Sequence, residues 1–231
     1  AECEVTVVSI DADLEGLVWD ENGKIHWSAF NTDSLPDYDI IKDCDVNGLA
    51  SATVTADGEI YGATMDDQNG VSNIYKIDPV TLEGTLLNNN YVDGGGNQLF
   101  VADMAYAPNV LGGSLLALYG PYVCIVNKDT GACEGLWSWG VNNGINLVAI
   151  AYAGSVLNTY YNAYIDKYFM IDANGNVYEE YFASITEDGV LNNYYWNGAE
   201  NALIGSTGYD TDGLLFFNSA TMAADNNGNE Y

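Results

Sequence analysis

The sequence predicts an all-β fold of the β-propeller kind, folded as one domain over residues 1–231. Three observations lead to this prediction. No segment keeps a helical apolar periodicity over three turns, short β-branched and aromatic runs alternate with Gly, Asn and Asp clusters, and the chain contains an internal repeat. Alanine-rich segments recur around Ala50, Ala102 and Ala149. A spacing of roughly 50 residues is typical of a four-stranded propeller blade.

Each repeat begins with a strand of small residues, which we place nearest the propeller axis, where large side chains do not fit. The predicted blades cover approximately residues 14–45, 48–90, 101–140, 147–185 and 201–221. The last unit has only its two inner strands, and the N-terminal strand 4–10 could complete it from the other end of the chain. That arrangement closes a ring of about five blades and removes the exposed sheet edges. The alternative is a fragment of a larger propeller.

Tight turns separate the predicted strands at several equivalent positions. An Asn-Gly or Asp-Gly pair lies between apolar runs at residues 20–23, 55–58, 172–175 and 210–213. These pairs supply the positive φ angles that two-residue hairpins require. We therefore expect antiparallel hairpins at all four positions.

A recurring strand end carries a resemblance to a known family. The segments Tyr75–Asp78, Cys124–Gly131 and Phe169–Asp172 each end a strand in Ile-Asp or Val-Asn before a polar turn. In this they resemble the secreted bacterial propellers of the quinoprotein-like group, over about three blades. The resemblance implies a fold and no particular activity. Cofactor-binding members of that group use basic residues against an anionic quinone, so that activity is not carried over to this chain.

The charge balance is strongly acidic. The chain has 33 Asp and Glu residues against 5 lysines and no arginine, for a formal net charge of -28. Such a surface repels nucleic acid and anionic lipid, and it favours cations and basic partners. No apolar stretch is long enough for a transmembrane helix, so membrane insertion is not expected.

Four cysteines indicate the redox compartment. Cys124 and Cys133 flank a predicted hairpin turn and form one expected disulfide, and Cys3 and Cys44 form the other. The alternative is four reduced, buried thiols, as in reducing compartments. The even number of cysteines favours a secreted or cell-surface location.

A calcium loop is a candidate near the N-terminus. Asp11, Asp13 and Glu15 resemble the opening of an EF-hand loop, and Gly16 stands at its required sixth position. Asn22 does not supply the carboxylate required at the twelfth position. The alternative is a solvated turn whose Asp side chains cap their own backbone. Calcium is the only cofactor that the sequence suggests.

Aromatic residues in polar surroundings provide the candidate ligand site. Tyr194, Tyr195 and Trp196 are predicted to lie in a polar loop, and Trp139 in another. Exposed aromatic rings stack on sugars and anchor protein partners, although packing between blades is the alternative. The sequence therefore predicts a non-catalytic binding module for a glycan or a protein. A glycoside hydrolase with a carboxylate pair, and a structural fragment that assembles with other chains, are the alternatives.

Overall fold

The computed structural model describes residues 14–19, 24–31, 38–64, 71–89, 95–137, 144–159, 162–187, 190–195 and 203–206. Within these ranges every regular element is a β-strand, and each strand pairing is antiparallel. The predicted all-β fold is therefore confirmed. No helix in the described ranges is long and apolar enough to cross a membrane.

The first sheet has three strands in sequence order, and its outer strand is an exposed edge. Its strands are β1 (Leu14–Trp19), β2 (Ile25–Phe30) and β3 (Tyr38–Asp43). All six residues of β3 are exposed, whereas β2 is almost entirely buried. The register shifts so that Lys42 faces Trp27 and Ile40 faces Ser28, which makes Ile41 the extra residue of a β-bulge. Bulges of this kind are common at sheet edges.

The second and third sheets are four-stranded meanders, as expected of propeller blades. The second sheet contains β4 (Leu49–Val54), β5 (Ile60–Thr64), β6 (Ile74–Ile77) and β7 (Gly84–Asn88). The third sheet contains β8 (Met104–Ala107), β9 (Ser114–Tyr119), β10 (Tyr122–Val126) and β11 (Cys133–Trp137). The strands of the second sheet lie within residues 48–90, and those of the third within residues 101–140.

The fourth sheet is larger, and its composition differs from the expectation. It contains β12 (Leu147–Asn158), β13 (Ala163–Asp172), β14 (Asn176–Glu187), β15 (Val190–Tyr195) and β16 (Leu203–Ser206). The sequence placed β16 in a fifth blade, but β16 pairs with the first part of β14. Because β15 covers only the second part of β14, the first part has an open edge that β16 occupies. The predicted strand 4–10 and residues 207–221 lie outside the described residues.

The first strands of successive sheets lie side by side. Strand β4 contacts β8, and β8 contacts β12, in the order that a propeller axis requires. The alanine-rich segments around residues 50, 102 and 149 are buried, as predicted from their small side chains. Between the third and fourth sheets, larger side chains form the main core cluster, where Trp137 stacks on Phe182 with ring centroids 4.8 Å apart.

Two predicted turns are present, and the glycine of each has the expected positive φ angle. Gly58 and Gly175 adopt φ angles of 84° and 78°, and their amides donate to the carbonyls of Thr55 and Asp172. The turns at residues 20–23 and 210–213 lie outside the described residues.

The recurring strand ends have a structural role. Asp78 accepts hydrogen bonds from the amides of Val80 and Thr81, and Asn127 accepts them from Asp129 and Thr130. These side chains replace backbone acceptors within the turn, as Asx turns do. The recurring Ile-Asp and Val-Asn strand ends therefore shape hairpins in this chain.

A fully buried carboxyl group joins three of the sheets. Ser51 of β4 donates to Asp103 Oδ1 at 2.7 Å, and the amide of Ile150 in β12 donates to Asp103 Oδ2 at 2.9 Å. Asp103 itself directly precedes β8. Burial raises the pKa of the Asp103 carboxyl to about 7, against the opposing effect of its hydrogen bonds. The side chain thus satisfies an amide on the inner strand of one sheet and a hydroxyl on another.

We expect the stability contributed by Asp103 to depend on pH. Asp103 has a higher pKa in the folded protein than in the unfolded chain, so the folded state binds its proton more tightly. The free energy of unfolding therefore falls as the pH rises from about 4 to about 7. Asp103→Asn removes this dependence. Between pH 5 and pH 8, denaturant titrations should show stability shifting in favour of the variant by on the order of a few kcal/mol. Asp129→Asn, at an exposed turn position, controls for the loss of one charge. A difference in unfolding free energy between wild type and Asp103→Asn that stayed the same from pH 5 to pH 8 would contradict the expectation.

A second prediction concerns the close approach between the second and third sheets. Gly131 has a φ of 67°, and a Cβ atom there would lie 3.0–3.1 Å from the Cβ atoms of Ile74, Leu87 and Asn88. Gly131→Ala should therefore lower the free energy of unfolding by about 2–4 kcal/mol. Gly112 has a φ of 75° with no heavy atom near its hypothetical Cβ, so Gly112→Ala should cost only about 1–2 kcal/mol. If chemical denaturation showed the same loss of unfolding free energy for both variants, the close contact between the sheets would not limit the size of the side chain at residue 131.

Candidate binding site

The candidate site is a hairpin that extends the fourth sheet. Strands β12 and β13 have 12 and 10 residues, whereas those of the second and third sheets have four to six. Their pairing is interrupted between Tyr152 and Ser155, where Gly154 adopts a φ of 98°. It then resumes for four residue pairs up to Asn158 and Ala163. We call this segment, residues 155–166, the hairpin arm.

The register assigns the side chains of the arm to two faces. Leu157 lies opposite Tyr164, and Val156 lies opposite Ile165, so the two pairs point to opposite sides. Ile165 is buried in a small cluster with Ala183. Leu157 and Tyr164 are 52% and 58% exposed. These two residues form an apolar surface, which we call the platform.

The base of the arm is fixed by a polar network around the buried carboxyl group of Asp166. Asn109, in the turn between β8 and β9, donates through Nδ2 to Asp166 Oδ1 at 2.6 Å and to Ser155 Oγ at 3.1 Å. Its backbone amide donates to Asp166 Oδ2 at 2.8 Å. Ser155 Oγ also donates to Asp166 Oδ1 at 2.8 Å and lies 2.8 Å from the hydroxyl of Tyr152. Burial raises the pKa of Asp166, although these hydrogen bonds oppose the shift.

The same turn also holds the next strand. Ser184 of β14 donates its amide to the carbonyl of Asn109, and its hydroxyl accepts from the amide of Leu111, both at 2.9 Å. The third sheet therefore contacts both β13 and β14 at the base of the arm. A binding surface on so fixed a base loses little conformational entropy when it takes a ligand.

The predicted aromatic site is only partly within the described residues. Tyr194 and Tyr195 end strand β15 and pair with Ala183 and Phe182, so their backbone is in a strand and the predicted loop is wrong at these two positions. The cause is the length of β14, which offers a free edge to the following segment. Trp196 and Trp139 lie outside the described residues, and their predicted role stays a prediction.

The candidate calcium ligands are not brought together in the described structure. Asp11 and Asp13 lie outside it, and Glu15 is in β1, paired with Ala29. Elsewhere in the described ranges, no group of three or more His, Cys, Asp or Glu residues is placed to hold a metal ion. Calcium binding near the N-terminus stays a prediction.

The structure contains no disulfide among Cys44, Cys124 and Cys133, the cysteines that it describes. Cys124 lies opposite Leu136, and Cys133 lies opposite Val126, so the predicted Cys124–Cys133 pair is offset diagonally across the hairpin. Diagonal neighbours are farther apart than the Cβ separation that a disulfide needs. Cys3 lies outside the described residues, which leaves the Cys3–Cys44 pair a prediction.

A concave region lies at one end of the second sheet. It has a volume of about 290 Å³, and its lining includes Asp57, Glu59, Lys76 and Asp78. Glu59 forms an ion pair with Lys76 and accepts a hydrogen bond from Tyr61 at 2.9 Å. Lys128, from the turn between β10 and β11, reaches Glu59 at 3.3 Å.

These contacts lower the pKa of Glu59 to about 2, first through its hydrogen bond with Lys76 and then through Tyr61. The Thr81 and Val80 amides likewise lower the pKa of Asp78. A glycosidase acid needs a raised pKa, so neither carboxyl group is suited to that role. Glu59 instead joins the second sheet to the third.

The described chain is thus an all-β protein of successive antiparallel sheets with one anchored, projecting hairpin. No protein-family model matches it, and no curated protein does. Several solved structures are similar at low identity. A protein from Lactobacillus plantarum is 12% identical with a TM-score of 0.41, covering 73% of this chain and 47% of its own length. The extracellular domains 1-2 of Drosophila Semaphorin 1a are 9% identical with a TM-score of 0.38, covering 96% and 72%.

Hydrazine synthase from Kuenenia stuttgartiensis is 8% identical, with a TM-score of 0.37 and coverage of 81% and 61%. The chain spans about half the length of the Lactobacillus plantarum protein.

The base of the arm provides a direct test of its anchoring. Asn109→Ala removes the two donors of the Asn109 side chain and leaves Asp166 a buried carboxyl with fewer partners. We expect a loss of about 1–3 kcal/mol in stability and faster amide hydrogen exchange throughout the arm. Asn174→Ala, at an exposed turn between β13 and β14, is the matched control. Unchanged exchange in the arm of Asn109→Ala would show that other contacts fix it.

Proposed function

We propose that this chain is an extracellular, non-catalytic binding module that takes a glycan or protein ligand on the hairpin arm. One observation carries the proposal. The platform of Leu157 and Tyr164 is exposed, while the arm that presents it is anchored by a polar network around the buried Asp166. Exposed apolar side chains on a rigid support are typical of recognition surfaces, because ordering them costs little on binding.

The fold supports the same proposal. We infer a ring of about five blades, with strand 4–10 and the residues after β16 supplying the remaining strands. The order of β4, β8 and β12 supports this arrangement, since each inner strand contacts the next. Propellers commonly bind ligands through loops and hairpins at one end of the ring, and the arm is a hairpin that extends the fourth sheet.

The composition supports an extracellular setting. The absence of arginine and the net charge of -28 are consistent with a secreted protein. The charge also keeps copies of the chain apart in solution.

The test compares two exposed tyrosines. Tyr164→Ala should weaken ligand capture by roughly tenfold or more, because removing a central aromatic anchor costs about 1.4 kcal/mol or more. Tyr38→Ala changes a tyrosine of 41% exposure on β3 and should leave capture unchanged. Binding is measured on immobilised glycans and on candidate protein partners, with thermal unfolding to verify that both variants fold. Equal binding by both variants would exclude the platform. Release of reducing sugar would instead favour the hydrolase.

A further inference from the structure

We propose that the ligand of the platform is a neutral polysaccharide. This inference rests on the proposed function, which it narrows from two classes of ligand to one. Three properties of the arm support it: the chemistry of its exposed side chains, the absence of charged side chains between Ser155 and Ile165, and its small area.

The exposed side chains suit a sugar ring. Tyr164 presents an aromatic ring at 58% exposure, with Leu157 opposite it on the same face. Thr159 and Asn162, at the end of the arm, are also exposed. An aromatic ring can stack on the apolar C–H face of a sugar, and hydroxyl and amide groups hydrogen-bond to its hydroxyls.

Between Ser155 and Ile165 the arm has no charged side chain, and the carboxyl group of Asp166 at its base is buried. From Gly135 to Ile165 the sequence contains no Asp, Glu, Lys or Arg. The next lysine, Lys167, is held by Glu179 at 2.9 Å and lies over the ring of Phe169. An anionic polysaccharide would therefore meet no available cation at the arm, and the net charge of -28 would repel it.

The remaining lysines are also engaged. Lys24 pairs with Asp43, Lys76 and Lys128 pair with Glu59, and Lys42 donates to the carbonyl of Val80 at 3.1 Å. None of the five lysines lies in the arm. The exposed part of the arm is therefore suited to a ligand without charge.

The area of the platform favours a sugar over a protein. A stable protein interface buries about 800 Å² on each partner. Leu157 and Tyr164 together cannot provide this, since even an aromatic side chain buries only about 150–250 Å². A protein partner would have to extend beyond the arm onto a chain with a net charge of -28, and its binding would then depend strongly on salt. A sugar chain needs only an aromatic face and a few polar groups.

The experiment uses the full chain and an array of neutral oligosaccharides built from hexose and N-acetylhexosamine units. Sulfated and uronic-acid oligosaccharides and a lysine-rich protein are included as competing ligand classes. Binding is measured at low and at high sodium chloride. Tyr164→Phe keeps the ring, Tyr164→Leu keeps apolar bulk without it, and Tyr38→Ala is the control away from the arm. Thermal unfolding verifies the fold of each variant.

We expect neutral oligosaccharides to bind with an affinity that changes little with salt. Tyr164→Leu should weaken this binding by about tenfold, whereas Tyr164→Phe and Tyr38→Ala should retain it. Salt-sensitive binding to the lysine-rich protein alone, reduced by Tyr164→Leu, would overturn the polysaccharide and leave the binding function standing. Binding of any class that Tyr164→Leu does not affect, or no binding at all, would overturn both proposals.

Discussion

The arrangement of the sheets depends on how the open edges of their innermost strands are satisfied. Such an edge carries amides that cannot bond within its own sheet, and burial without a partner is costly. Here polar side chains from the preceding sheet provide the acceptors. Thr53 accepts from the amide of Tyr106, and Asp103 accepts from that of Ile150. Each contact joins one inner strand to the next. The hydrogen bonds that provide acceptors for these amides therefore also hold the sheets in their order.

The buried carboxyl group of Asp103 affects stability in two opposing ways. Asp103 positions three sheets through two hydrogen bonds, yet its burial penalises the charged form. Ala50 and Ala149 directly precede Ser51 and Ile150, the two residues that donate to Asp103, and both alanines are buried.

The sequence allowed the local architecture to be predicted, because strands and turns depend on nearby residues. The alanine-rich inner strands are buried, and Gly58 and Gly175 have positive φ angles, as expected. The arm was not foreseen. Its strands continue past a glycine in the left-handed region at residue 154, a residue that usually marks a turn. The uncharged run ending at Ile165 was the available signal. The network around Asn109 joins residues distant in sequence, which local patterns do not predict.

The exposed edge strand β3 has a consequence for the colloidal behaviour of the protein. An edge of this kind is a template for pairing with another copy of the chain, and the exposed apolar side chains of Ile40 and Ile41 favour such pairing. Mutual repulsion between copies carrying a charge of -28 opposes such contact in dilute buffer. That repulsion extends about 8 Å at physiological ionic strength but only about 3 Å in molar salt. In brine, therefore, the bulge at Ile41 and the side chain of Lys42 become the principal local barriers to edge-to-edge stacking.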